Sequence, residues 1–167
     1  GGPFATLGGY ADVLDAVARE APGVGVALAL GGRGDVDPRE AALEAWRRHA
    51  TAVHGHLRAA TTARYDGAYV ARVETATLGR LVTAAGLLRD FRSPEPVALA
   101  VADGGAAAAA TAPDGLRERV ATAAAAAGAD ASPAVGGPAV AGVQFDDAAT
   151  DDGSGADEFV AAFRGAA

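Results

Sequence analysis

Three places in this chain concentrate residue types able to do chemistry: a group of histidines, a run of acids and a glycine–proline turn. His49, His54 and His56 fall within eight residues. On a helix His54 and His56 would point about 200° apart, and His49 and His56 would lie roughly 10 Å apart along the axis. A zinc ion takes its ligands at about 2 Å, so the three are read as surface or boundary histidines and no metal ligand is assigned. Asp146, Asp147, Asp151, Asp152, Asp157 and Glu158 form the acidic run. It does not meet the spacing of a calcium loop, with its central glycine and terminal glutamate, and reads as a solvated loop. Gly31-Gly32-Arg33-Gly34 lacks the Lys-Ser/Thr ending of a phosphate cradle, and no G-x-S-x-G elbow occurs. Cysteine is absent, which excludes disulfides, thiolate zinc sites and cysteine nucleophiles. No catalytic residue is therefore assigned. What remains is Ala134-Val135-Gly136-Gly137-Pro138-Ala139-Val140-Ala141-Gly142. Paired glycines there let backbone N–H groups approach an anion closely, since no Cβ intervenes.

The elements that must position this turn are legible in outline. Tyr10 to Arg19 reads as a short amphipathic helix stopped by Pro22-Gly23. Val24 to Leu30 is a small apolar run that fits a buried strand or a buried helical turn. Asp37-Pro38-Arg39-Glu40 starts a helix, with Asp as N-cap, Pro at N1 and Glu at N3. Leu43, Trp46, Ala50, Val53, Leu57 and Ala60 continue it as one stripe, with Arg47, Arg48, Arg58 and Arg64 off the stripe. This long helix reads as a connector between two modules. The pattern changes at Asp66-Gly67, which places a helical segment at 1–66 and an α/β domain at 67–167.

In that domain Tyr69–Val73 is a strand, and Leu78, Leu81, Val82, Ala85 and Leu88 mark a helix face. Val97–Ala102 and Ala106–Ala112 flank Asp103-Gly104 as a hairpin. Leu116–Ala127 is a helix closed by Gly128. The glycine turn, a strand Val143–Phe145, the acidic loop and a final helix with Phe159, Val160 and Phe163 follow. The fold class is α/β, with a helical N-terminal segment, a long connector helix and a small mixed-sheet domain.

Of the 167 residues, 14 are basic and all of these are arginine; with 21 acids the net charge is −7. Aromatics make up 5% and alanine dominates the apolar half, so the core must be built from small, closely packed side chains. Two origins fit the lysine-free, acidic surface: a GC-rich genome alone, or a high-salt cytoplasm in which carboxylate repulsion is screened over about 3 Å at 1 M salt. The halophilic reading is preferred. No apolar run reaches the roughly 18 residues of a membrane span, and no signal segment is seen, so a cytoplasmic protein is expected. The missing initiator methionine suggests a piece of a longer protein. The negative charge argues against nucleic-acid binding over the bulk surface; Arg80, Arg89 and Arg92 are one candidate local basic strip.

The order strand, helix, hairpin, helix, Gly-Gly turn, strand, acidic loop, helix resembles the C-terminal substrate-binding domain (DHHA1) of DHH-family phosphoesterases, which include RecJ-like single-strand exonucleases and exopolyphosphatase-related enzymes. The resemblance covers about residue 68 onward. Where that family's turn reads GGGHPxAAG, this chain has Ala134, Val135 and Gly136 for the glycines, Gly137 for the histidine, Pro138, and then Val140-Ala141-Gly142. The resemblance implies that Gly136, Gly137, Pro138 and Gly142, with Arg80 nearby, bind a phosphate-bearing substrate such as single-stranded nucleic acid or a nucleotide. It also implies a catalytic domain outside this chain, holding a pair of divalent metals, usually manganese; the DHH triplet is absent here, so no cofactor is expected in this chain and alone it should be inactive. The chain departs from the family in lacking the turn histidine and an arginine on the second hairpin strand. The alternative reading is a non-catalytic interaction module, with a degenerate turn, that docks a replication or repair protein.

Overall fold

The computed structural model describes residues 3–31, 37–129, 139–145 and 154–166. The chain divides into two compact units, Gly1–His54 and Gly55–Ala167.

The first unit begins with a 3-10 turn, Pro3–Ala5, and a helix α1, Leu7–Glu20. Thr6 caps α1 by accepting from the Gly9 N–H at 3.1 Å. The apolar run after Pro22 is helical: α2 spans Pro22–Ala29, with proline at its start, where the missing N–H costs nothing. Gly31, at φ +61°, follows it. Helix α3, Pro38–Ala59, starts as its sequence indicates, with Asp37 Oδ1 accepting from the Arg39 N–H at 2.9 Å. Val13 and Val17 of α1 meet Ala42 and Ala45 of α3, with Phe4, Val24, Leu28 and Trp46 around them. His49 is buried, contrary to the surface or boundary position expected for it. Its Nδ1 lies 2.9 Å from Glu20 Oε1, and this partner makes burial tolerable.

In the second unit α3 ends at Ala59, one residue before the last position of the stripe, Ala60. Thr61-Thr62 carries β-branched side chains that favour an extended chain, so Arg64 lies in strand β1, Thr61–Tyr65, and not on the helix. Asp66-Gly67, where the pattern change marked a boundary, is the two-residue turn from β1 into β2, Ala68–Arg72, with Gly67 at φ +76°. Helix α4, Leu78–Phe91, returns the chain to β3, Val97–Ala102, which lies parallel to β2. The Asp103-Gly104 turn then gives the antiparallel arm β4, Gly105–Ala110, despite its all-alanine helical propensity. Helix α5, Leu116–Ala126, leads towards β5, Val140–Gln144, antiparallel to β4, and α6, Ser154–Gly165, closes the chain. The sheet order is β1-β2-β3-β4-β5, a mixed sheet in a small α/β domain, the fold class read from the sequence.

The two faces of this sheet differ in kind. Val70, Leu99, Val101, Val143 and Phe145 join α5 and α6 in one core, where Phe159 lies 5.8 Å from Phe145 and 6.0 Å from Phe163 between ring centroids. The other face is floored by Ala98, Ala100, Ala107, Ala109 and Gly142, which alternate with the first set in register. Leu81, Val82, Ala85 and Leu88 of α4 are buried there. A Cβ on Gly142 would stand 2.8 Å from Leu78 Cδ1 and 3.3 Å from Val82 Cγ2. Small residues on the strands thus let a helix with larger side chains sit close.

Candidate functional site

At one end of the sheet β3 begins, β4 stops and β5 starts. The Ala110 N–H closes β4 by donating to the Ala139 carbonyl at 2.9 Å, and the Thr111 N–H donates to Pro96 O at 2.9 Å. Gly136, Gly137 and Pro138 lie outside the described residues; Ala139, directly after them, enters the sheet here. The last turn of α4 reaches the same point, since Arg89 Nη1 donates to the Ala110 carbonyl at 3.5 Å. Arg89 Nε also donates to Asp90 Oδ1 at 2.7 Å. That bond raises the arginine's pKa and holds the Asp90 carboxyl below its usual range, partly opposed in each by burial.

On the α5 side of this end a cleft of about 430 Å³ has an apolar floor of Val97, Ala110 and Leu116. Asp114, Glu118 and Arg119 line it as well. Arg119 is committed to the core: its Nε donates to the Phe163 carbonyl at 2.9 Å and its guanidinium lies 4.1 Å from the Phe163 ring centroid. Burial lowers its pKa. With exposed carboxylates of Asp114 and Glu118 beside it, the cleft would repel a phosphate.

Of the residues proposed from the sequence, Gly142 and Arg80 are among the described ones. Gly142 sits in β5 beneath α4, where the close approach of Leu78 and Val82 accounts for its missing Cβ. Arg80 stands in the first turn of α4, about 13 Å along the helix from Arg89, towards the opposite end of the sheet. Of the strip Arg80, Arg89 and Arg92, only Arg89 reaches Ala110; Arg92 Nη1 donates to the Leu57 carbonyl at 3.2 Å. That Arg89 shares a helix face with Leu81, Val82 and Ala85 is legible in the helix period alone. Its meeting with the end of β4 depends on strand register, which periodicity does not contain. Among the described residues no group of three or more His, Asp or Glu side chains is placed to hold a metal ion. No described helix is long and apolar enough to cross a membrane.

Residues 60–165 match the family model described as "Uncharacterized protein rrnAC1427, C-terminal domain". The chain is also 58% identical over 111 residues to the uncharacterized protein rrnAC1427 of Haloarcula marismortui. That match covers 66% of this chain and 28% of the relative, so the chain spans well under a third of the relative's length.

Proposed function

This chain belongs to the family of the rrnAC1427 C-terminal domain, and from the resemblance of its element order and Gly-Gly-Pro segment we propose that it is the substrate-holding portion of a larger phosphoesterase of the DHH kind, a RecJ-like exonuclease foremost. In this reading the turn at Gly136-Gly137 presents backbone N–H groups to a phosphate of single-stranded nucleic acid or a nucleotide. Arg89 supplies the cation that the second hairpin strand lacks. The observation that carries the reading is the convergence on Ala110. Its N–H donates to the carbonyl of Ala139, which follows Gly136-Gly137-Pro138 in sequence, and its own carbonyl accepts from Arg89. Helices on both faces of a five-stranded mixed sheet are in keeping with it. The metal pair, and the activation of water that goes with it, belongs to a domain outside this chain, so no step of the reaction is assigned here. The Haloarcula relative suits the acidic, lysine-free composition, and the protein would work in a high-salt cytoplasm.

The test is an NMR titration in molar KCl with a 5′-phosphorylated oligonucleotide. Shifts should cluster on Ala110 and Ala139–Gly142. Arg89→Ala should weaken binding by about tenfold or more, in line with about 1.5–3 kcal/mol for a charged hydrogen bond. Arg80→Ala, at the other end of α4, should leave affinity within about twofold. Absence of shifts at millimolar oligonucleotide sinks the substrate-holding role and favours an interaction module.

A further inference from the structure

Helix α2 reads Pro-Gly-Val-Gly-Val-Ala-Leu-Ala, eight residues without a polar side chain, yet none of them is buried. A helix that is apolar all round is a helix meant to be covered all round. Val24 and Leu28 pack on the core of the first unit. Val26 and Leu30 turn elsewhere and are 59% and 79% exposed. Helix α1 repeats the pattern: Val13 and Val17 are buried, while Leu7, Tyr10 and Leu14, at steps of three and four, form a second stripe, with Leu7 90% exposed. Gly8 and Gly23, one on each helix, have nothing within 4 Å of where a Cβ would stand. Nothing in the described chain requires glycine at these two positions; close approach of another backbone would. Concentrated salt adds to the cost of leaving such stripes in water, and stripes of this kind mark interaction sites.

The occupant follows from the comparisons. The matched family is by description a C-terminal domain and begins at residue 60. The chain accounts for 28% of its relative's length, so most of such a protein precedes the matched domain. The first unit immediately precedes that domain in sequence. We propose that α1 and α2 form the surface onto which the part of the longer protein N-terminal to these two helices folds. The proposal is independent of the substrate reading above.

The chain contains no cysteine, which makes thiol labelling a clean test. Val26→Cys and Leu14→Cys are each placed in this 167-residue chain and in the product of the whole gene, with Thr75→Cys, on the loop before α4, as an exposed control. The unsubstituted whole product supplies the background. Maleimide labelling in molar KCl is followed by mass spectrometry, with circular dichroism checking that each variant is folded. Positions 14 and 26 should label at least tenfold more slowly in the whole product than in the 167-residue chain, with position 75 unchanged. Equal rates in the two would overturn the proposal. So would slow labelling in both at any mass in light scattering, since the face would then already be covered within this chain or, where the mass is doubled, by a second copy.

Discussion

Two glycines of the second unit show how much the identity of a colliding atom matters. A Cβ on Gly142 would meet the tip of Leu78, a side chain that is only half-buried and free to turn. On Gly105 it would meet the Val143 carbonyl oxygen at 2.7 Å, and that oxygen belongs to a strand pinned by its ladder. Overpacking a core costs typically about 1–3 kcal/mol. Gly142→Ala should fall at the low end, about 1 kcal/mol, and Gly105→Ala at about 3 kcal/mol, in urea unfolding followed by circular dichroism. Combining Gly142→Ala with Leu78→Ala should abolish the Gly142→Ala increment, as a double-mutant cycle would reveal. Equal costs for the two single changes would mean that the sheet yields as readily as a side chain.

At the scale of elements, the β1–β2 hairpin is fastened by one carboxylate. Glu95, in the linker between α4 and β3, accepts from Arg64 of β1 and, at 3.1 Å, from the Gly67 N–H in the turn. The Arg64 bond, helped by the Gly67 N–H, holds the Glu95 carboxyl below its usual range despite the opposing effect of burial. A lowered folded pKa gives stability that is present in full above the ordinary glutamate value of about 4.3 and is lost as pH falls through the folded value. The stability gap between wild type and Glu95→Gln should therefore be full at neutral pH and close below about pH 4. Urea midpoints measured across that range in molar KCl would check it, and a gap independent of pH would disprove it.

These elements also mark the limits of reading the chain by pattern. Asp103-Gly104 and Gly128 punctuate what periodicity leaves ambiguous, so β3, β4 and α5 are legible with near-correct ends. β1 was not: its residues Thr-Thr-Ala-Arg-Tyr follow a helical stripe without a glycine or proline between them, and only pairing with β2 makes them a strand. For the candidate site the gap is wider. The glycine pair announces itself by composition, whereas the meeting of Arg89 with the end of β4 is set by strand register, which no local pattern carries.

For the whole molecule, charge is the governing quantity. A net charge of −7 without a single lysine leaves the folded state repelling itself in dilute buffer, and added salt screens that repulsion while strengthening apolar burial. Raising KCl from about 0.1 M to about 2 M should raise the melting temperature by about 4–8 °C, as a gain of about 2 kcal/mol would for a molecule of this size. A melting temperature that is flat or falls with salt would assign the composition to codon bias alone. The cation–aromatic contacts that seat α6 should resist the same salt, because Arg119 over Phe163 and Arg164 over Tyr65, the latter at 3.8 Å, are short-ranged contacts.

Beneath α4 the strands have almost nothing left to lose. Alanine and glycine are the two smallest residues, so random change at Ala98, Ala100, Ala107, Ala109 and Gly142 runs almost wholly towards larger side chains, into a helix that already touches the floor. The opposite face, built of valine, leucine and phenylalanine, can shrink, swap or exchange volume between neighbours. Divergence within this domain should therefore be lopsided, with one side of a single sheet free to wander and the other held nearly still.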